Sequence, residues 1–132
     1  MIEGLPERIH CLGAGGAGML PLALYLAEAG HRVTAEDDAL SAESKELLLG
    51  SGVELLSLPQ GETACIVYSS AISDSHPLRR QAEAAGERCL RRGECLALVA
   101  TGKKLVAITG SHGKTTTCAM LIDILNLSGL PF

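Results

Sequence analysis

Three short stretches of this 132-residue sequence have residue types and spacings suited to holding phosphate. The most specific is Thr109-Gly110-Ser111-His112-Gly113-Lys114-Thr115-Thr116-Thr117. Loop N–H groups can cradle phosphate oxygens, and a lysine can neutralise a β/γ-phosphate pair. The hydroxyl that follows the lysine can sit on Mg²⁺. Gly110, Ser111, His112, Gly113, Lys114, Thr115 and Thr116 are the expected ATP contacts. Lys114 and Thr115 would act on the reacting phosphate, with Thr115 on the metal. The strict phosphate-loop pattern wants a glycine where Ile108 stands, so only the Gly-Lys-Thr core is kept. The plain alternative is a glycine-rich loop with a surface lysine.

The second stretch is Gly13-Ala14-Gly15-Gly16-Ala17-Gly18, which matches G-x-G-x-x-G. Glycines allow a tight turn and close approach to a diphosphate, and a helix N-terminus adds unpaired N–H groups and a positive dipole end. Asp37 follows 24 residues after Gly13, where an acid commonly accepts hydrogen bonds from a ribose. A packing turn with a solvated Asp37 between Glu36 and Asp38 is the plain alternative. The loop does not choose between NAD and a UDP-sugar, since both present a diphosphate and a ribose. The third stretch is Tyr68-Ser69-Ser70-Ala71-Ile72, whose two hydroxyls suit phosphate or sugar oxygens or simply cap a turn.

The elements around these stretches alternate. Arg8 to Leu12 reads as a strand, Ala17 to Ala29 as a helix with Pro21 in its first turn and Gly30 after its end, and His31 to Ala35 as a second strand. Ser41 caps a helix running to about Leu49, and Val53 to Leu56 is a short third strand. Ala64 to Tyr68 is an unbroken apolar run, as in a strand covered on both faces. A helix from Pro77 to Ala85, a weak strand at Arg88 to Leu90 and a helix from Glu94 to Val99 follow. This is βαβ repetition, which predicts an α/β fold: a doubly wound, Rossmann-like parallel sheet of about five strands. Near Thr101 the pattern restarts. Leu105 to Thr109 reads as a new buried strand, Gly110 to Gly113 as a loop and Thr115 to Leu127 as an apolar helix. The expected division is therefore 1–100, a nucleotide-binding domain, and 101–132, a strand–loop–helix unit too small to fold alone.

Composition agrees with one compact domain and little more. Apolar residues make up 47% of the chain, yet there are two Tyr, one Phe and no Trp, so the core must come from Leu, Val, Ile and Ala. Fifteen acidic and eleven basic residues are interspersed, and the net charge is -4. Arg79-Arg80, Arg91-Arg92 and Lys103-Lys104 read as solvated pairs, not a nucleic-acid footprint. Cys11, Cys65, Cys89, Cys95 and Cys118 are odd in number and contain no C-x-x-C, which predicts reduced thiols without zinc. The N-terminus lacks the pattern of a signal peptide, and no apolar run reaches membrane-span length, so a cytoplasmic protein without a membrane span is expected.

The three phosphate-suited stretches in this order resemble the Mur ligase family. The resemblance rests on Ile9-His10-Cys11-Leu12-Gly13-Ala14-Gly15-Gly16-Ala17-Gly18-Met19, on Tyr68-Ser69-Ser70-Ala71-Ile72 and on Gly110-Ser111-His112-Gly113-Lys114-Thr115-Thr116-Thr117. His112 looks like two family branches, one that joins L-alanine to UDP-N-acetylmuramate and one that recycles a murein tripeptide, and Arg92-Gly93-Glu94 looks like the first of these. The resemblance implies an ATP- and Mg-dependent ligase of peptidoglycan synthesis, and with it of cell shape and division. The resemblance further implies that such a ligase acts through an acyl phosphate. It also implies that Gly13, Ala14, Gly15, Gly16, Ala17, Gly18, Asp37, Ser69, Ser70 and Arg92 hold the UDP part of the substrate. Leu20 and Ser111 depart from the family pattern. The family's metal-binding acids, base pocket and amino-acid-binding domain are expected beyond Phe132, so this chain alone is expected to be inactive. A nicotinamide-dependent oxidoreductase domain remains open on the first loop alone, but it leaves the Gly-Lys-Thr loop unexplained. A UDP-sugar-binding module without chemistry is a third reading.

Overall fold

The computed structural model describes residues 1–57 and 65–129. The chain divides into two compact units, Met1–Thr101 and Gly102–Phe132. In the first, five strands alternate with four helices: β1 (Arg8–Leu12), α1 (Met19–Glu28), β2 (Arg32–Glu36), α2 (Ala42–Gly50), β3 (Glu54–Leu55), β4 (Cys65–Tyr68), α3 (Pro77–Ala84), β5 (Arg88–Arg91) and α4 (Arg92–Ala100). All strand pairs are parallel, and the sheet order is β3-β2-β1-β4-β5. This is the doubly wound sheet expected from the sequence. Ala64, expected as the first residue of β4, lies outside the described residues.

Two apolar clusters sandwich the sheet, because successive strand residues face opposite sides. Ile9 and Cys11 of β1 pack with Met19, Leu22 and Leu26 of α1, Leu48 of α2 and Cys95 of α4. Leu12 packs on the other face with Ile66 and Tyr68 of β4 and Ala82 of α3. Cys11, Cys65 and Cys95 are fully buried and serve as small hydrophobes. Burial raises the thiol pKa of each, that of Cys65 to about 11. No helix among the described residues is long and apolar enough to cross a membrane.

Local chemistry sets the element ends. The Ser41 hydroxyl accepts from the Ser44 N–H at 3.1 Å, capping α2 as expected. Pro77 opens α3, where its missing N–H costs nothing. The helix expected from Glu94 starts earlier, at Arg92, directly after β5. The Glu94 carboxylate reaches back to accept from the Arg91 N–H at 2.6 Å, and this closes the first turn around Arg92 and Gly93.

In the second unit, α5 (Lys114–Ser128) follows the Gly110–Gly113 loop. The buried strand expected at Leu105–Thr109 is not formed. These residues pair with no strand among the described residues, and Leu105 and Val106 are exposed. An apolar run becomes a buried strand only when neighbouring strands and a covering layer are present. Met120, Ile124 and Leu127 of α5 are likewise exposed.

Candidate functional site

The strand order makes β1 the switch point: the chain winds outward from β1 through β2 to β3, then returns to β4 on its other side. Ligand crevices of open parallel sheets lie beyond the carboxyl ends of strands at such a point. Leu12 and Tyr68 end β1 and β4 in register. Gly13 and Ser69 follow them, and the Ser69 N–H donates to the Leu12 carbonyl at 3.2 Å. Gly13 has a left-handed φ of +74°, and an added Cβ would lie 3.2 Å from the Ser69 Cβ. Only glycine both turns here and lets the two segments meet.

A cavity of about 250 Å³ opens at this point. Its walls are Gly13 and Gly16 of the first loop, Glu36, Asp37 and Asp38 at the end of β2, and Ser69, Ala71, Ile72 and His76 of the turn after β4. The Ser69 hydroxyl accepts from the Ala71 N–H at 3.2 Å and keeps its own proton for another acceptor. Ser70, expected beside it, is exposed and does not line the cavity.

The glycine loop is braced by β2. The N–H groups of Gly13 and Ala14 donate to the Glu36 carbonyl at 2.9 and 3.3 Å. The N–H of Gly15 donates to the Asp37 carboxylate at 2.9 Å, and that of Gly16 to the Gly13 carbonyl at 3.2 Å. Among the described residues, the Ala17 and Gly18 N–H groups have no protein acceptor and stand at the start of α1. The Arg92 guanidinium lies against Gly18, with its Cζ 2.6 Å from where a Gly18 Cβ would be. Two free amides, a helix N-terminus and a guanidinium thus share one place, a combination suited to an anion. Of the residues expected to hold a nucleotide, Gly13, Gly16, Asp37 and Ser69 border the cavity. Ala14 is buried and offers only backbone. Asp37 faces the loop itself, with Gly15 and Ala39 donating to its two oxygens at 2.9 and 2.7 Å.

Sequence reasoning missed His10 and His76, and named Glu36 only as a neighbour of Asp37. His10 is 2% exposed in the middle of β1, and its Nδ1 lies 2.8 Å from the Thr34 hydroxyl. Its Nε2 stands 4.0 Å from the Glu36 carboxylate. This is not an ion pair: burial, then the charge of His76, hold the His10 pKa down to about 4. The detectable signal was a polar set on one sheet face. His10 and Thr34 are register partners, and Glu36 shares Thr34's face two residues on.

The second unit has its own loop. Gly113, at φ +79°, caps α5 in the left-handed region. The Lys114 ammonium donates to the Gly110 carbonyl at 2.6 Å and so spans the loop. The Lys114, Thr115 and Thr116 amides open the first turn of α5, where a helix leaves donors unpaired. This arrangement fits phosphate. For Mg²⁺ the unit offers the Thr115 hydroxyl, while its one acid, Asp123, lies more than two turns into α5. Among the described residues, no group of three or more His, Cys, Asp or Glu could hold a metal.

Comparison with known proteins gives consistent results. The model of the Mur ligase family, catalytic domain, matches residues 8–104. The UDP-N-acetylmuramate–L-alanine ligase of Bifidobacterium longum (strain DJO10A) is 44% identical over 125 residues, covering 91% of this chain and 24% of that protein. The protein of the same name from Synechococcus sp. (strain RCC307) is 35% identical over 135 residues, covering 94% of this chain and 28% of that protein. Among solved structures, the murein peptide ligase of Psychrobacter arcticus 273-4 superimposes with a TM-score of 0.86 at 28% identity, over 94% of this chain and 27% of that one. The UDP-N-acetylmuramate–alanine ligase of Thermotoga maritima gives a TM-score of 0.77 at 26% identity, over 90% of this chain and 29% of that one. The chain thus spans about a quarter of the length of the curated relatives it matches.

Proposed function

The chain belongs to the Mur ligase family, and from that premise we propose that it is the UDP-substrate-binding part, with the opening of the ATP-binding part, of a ligase joining L-alanine to UDP-N-acetylmuramate. The observation that carries this reading is the anion-suited corner made by the free Ala17 and Gly18 amides and Arg92, beside a cavity at the β1/β4 switch point. A diphosphate fits that corner, and its nucleoside fits the cavity lined by Gly16, Glu36 and Ser69. Gly13, Ala14 and Gly15 shape the loop rather than donate to the ligand, since their amides are already used. In the second unit, Gly110 to Thr116 would hold the ATP phosphates, Lys114 their charge and Thr115 the Mg²⁺. ATP supplies the phosphoryl group that turns the substrate carboxylate into an acyl phosphate, which the amine of L-alanine then attacks. The use of ATP and a UDP-sugar places the reaction in the cytoplasm.

The relatives' names favour the alanine-adding reaction, while the structural match at TM-score 0.86 gives weight to a murein-peptide ligase as the second reading. One assay separates them. The chain, joined to the rest of a family-length protein, is given Mg-ATP with either UDP-N-acetylmuramate and L-alanine or murein tripeptide and UDP-N-acetylmuramate. Phosphate release that requires L-alanine supports the proposal. Release only with the tripeptide supports the second reading and refutes the first.

A further inference from the structure

Two buried histidines in the first unit are treated differently. His31 has both ring nitrogens engaged: the Ile2 N–H donates to its Nε2 and its Nδ1 bonds the Pro6 carbonyl, each at 2.8 Å. His10 is equally buried, yet its Nε2 has no hydrogen-bond partner. The Glu36 Oε2 that faces it, and Nδ1 of His76 in the cavity wall, are also buried without partners. Unpaired buried polar atoms cost free energy and call for an explanation. Glu36 and His76, which carry two of them, line one cavity, so its wall holds polar groups that the fold itself leaves unpaired.

The cavity's acids divide the work. Both Asp37 oxygens already accept backbone N–H groups, from Gly15 and Ala39, so this side chain holds the loop in shape. Glu36 accepts hydrogen bonds through its backbone carbonyl, and its buried Oε2 has no hydrogen-bond partner among the described residues. One carboxylate oxygen is buried toward His10, and the side chain remains 21% exposed. We propose that Glu36, steadied from behind by the Thr34–His10 pair, is the ligand-facing acid of the cavity and accepts hydrogen bonds from the ribose hydroxyls of the bound nucleotide. This rests on the nucleotide reading above.

The chemistry is selective. Three acids at the end of β2 repel phosphate, so that side of the cavity must take a donor-bearing, uncharged group. A ribose diol offers two adjacent O–H donors, whereas the single imide N–H of uracil is flanked by carbonyl oxygens that a carboxylate repels. When the Thr34 hydroxyl donates to Nδ1, the neutral His10 ring carries its proton on Nε2, facing Oε2 of Glu36 at 4.0 Å. A movement of about 1 Å closes that gap to hydrogen-bond length. The inner oxygen is then held by His10 and the outer one is left for the sugar.

The test is calorimetric titration of the 132-residue chain with UDP and with 2′,3′-dideoxy-UDP. The unsubstituted chain is expected to bind UDP at least tenfold more tightly than the dideoxy probe. Glu36→Ala should bring the two affinities together. Glu36→Gln, which preserves shape and checks that folding is not the cause, should lose most of the difference. Asp37→Asn should weaken both probes by a similar factor and keep their ratio, because it loosens the loop. A tenfold preference that survives in Glu36→Ala, or one that disappears in Asp37→Asn instead, overturns the proposal. Failure of the unsubstituted chain to bind UDP at all defeats the nucleotide reading, and this inference falls with it.

Discussion

The two glycine loops of this chain obey the same local rule and differ in everything around it. Each precedes a helix and presents N–H groups at its start. The Gly13–Gly18 loop is held from outside itself: Glu36 and Asp37 of β2 bind its amides, Ser69 packs against Gly13, and Arg92 lies on Gly18. The Gly110–Gly113 loop is held by its own lysine, through the bond from Lys114 to the Gly110 carbonyl. The first is therefore a site with walls. The second is a motif with the right donors whose own unit has one acid, Asp123, more than two turns into α5. A phosphate motif becomes a site when neighbouring strands supply what the loop lacks.

The sharpest way to break this comparison is to ask each loop for its activity. The 132-residue chain with UDP-N-acetylmuramate, L-alanine and Mg-ATP is expected to make no amide, read as phosphate release and product mass. In a family-length protein, Lys114→Ala should abolish turnover and leave UDP-substrate affinity within about twofold, since the lysine belongs to the second loop only. Loss of UDP-substrate binding in that variant would show that the two loops are not separate devices.

The next effect concerns the first loop. An added Cβ at Gly16 meets only the Gly13 carbonyl within 4 Å, at 3.5 Å, and Gly16 lines the cavity. Gly16→Val should thus fill ligand space while the unit stays folded, weakening UDP binding by about 100-fold or more. Gly15→Val is a less clean probe, because its Cβ would lie 3.2 Å from the Asp37 carboxylate and push the brace away. Unchanged UDP affinity in Gly16→Val, with a native circular dichroism spectrum, would move the ligand elsewhere.

Stability should divide along the same line. Leu26 is fully buried, and Leu26→Ala is expected to cost the first unit about 3 kcal/mol in urea unfolding. Leu127 is 89% exposed, and Leu127→Ala should change stability by less than about 0.5 kcal/mol. Equal costs would show that α5 is packed as tightly as α1.

A smaller effect comes from His10. Its pKa is held down to about 4, below the ordinary value of 6.5, so the unfolded chain takes up this proton first as pH falls. The stability contribution is complete above pH 6.5 and is lost progressively as pH falls toward 4. At pH 5 the loss is about 2 kcal/mol. His10→Gln should flatten the stability profile between pH 7 and 5 by about that amount, measured by urea unfolding at each pH. An unchanged profile would mean that His10 is not a buried neutral ring.

Much of this was legible in the sequence where a rule is local. The strand–glycine loop–helix opening, the Ser41 cap, Pro77 at a helix start and the parallel sheet follow from periodicity and end signals. Features that depend on neighbours were not legible. Leu105–Thr109 has the composition of a buried strand, but composition cannot supply partner strands. Arg91-Arg92-Gly93 looks like a polar loop until Glu94 folds back to make it a helix start. At the site, the glycines and Ser69 could be named in advance. That Asp37 would serve the loop, leaving Glu36 to face the cavity, depended on where two adjacent carboxylates point, and a one-dimensional pattern does not hold that information.

The central claim is that the walled loop, and not the bare one, holds a nucleotide in this chain, and that the nucleotide is a uridine diphosphate. Calorimetric titration of the 132-residue chain with UDP, NAD and Mg-ATP tests it most directly. The account predicts saturable UDP binding that Gly16→Val removes, with NAD weaker and Mg-ATP weaker still. Mg-ATP or NAD binding more tightly than UDP would contradict it.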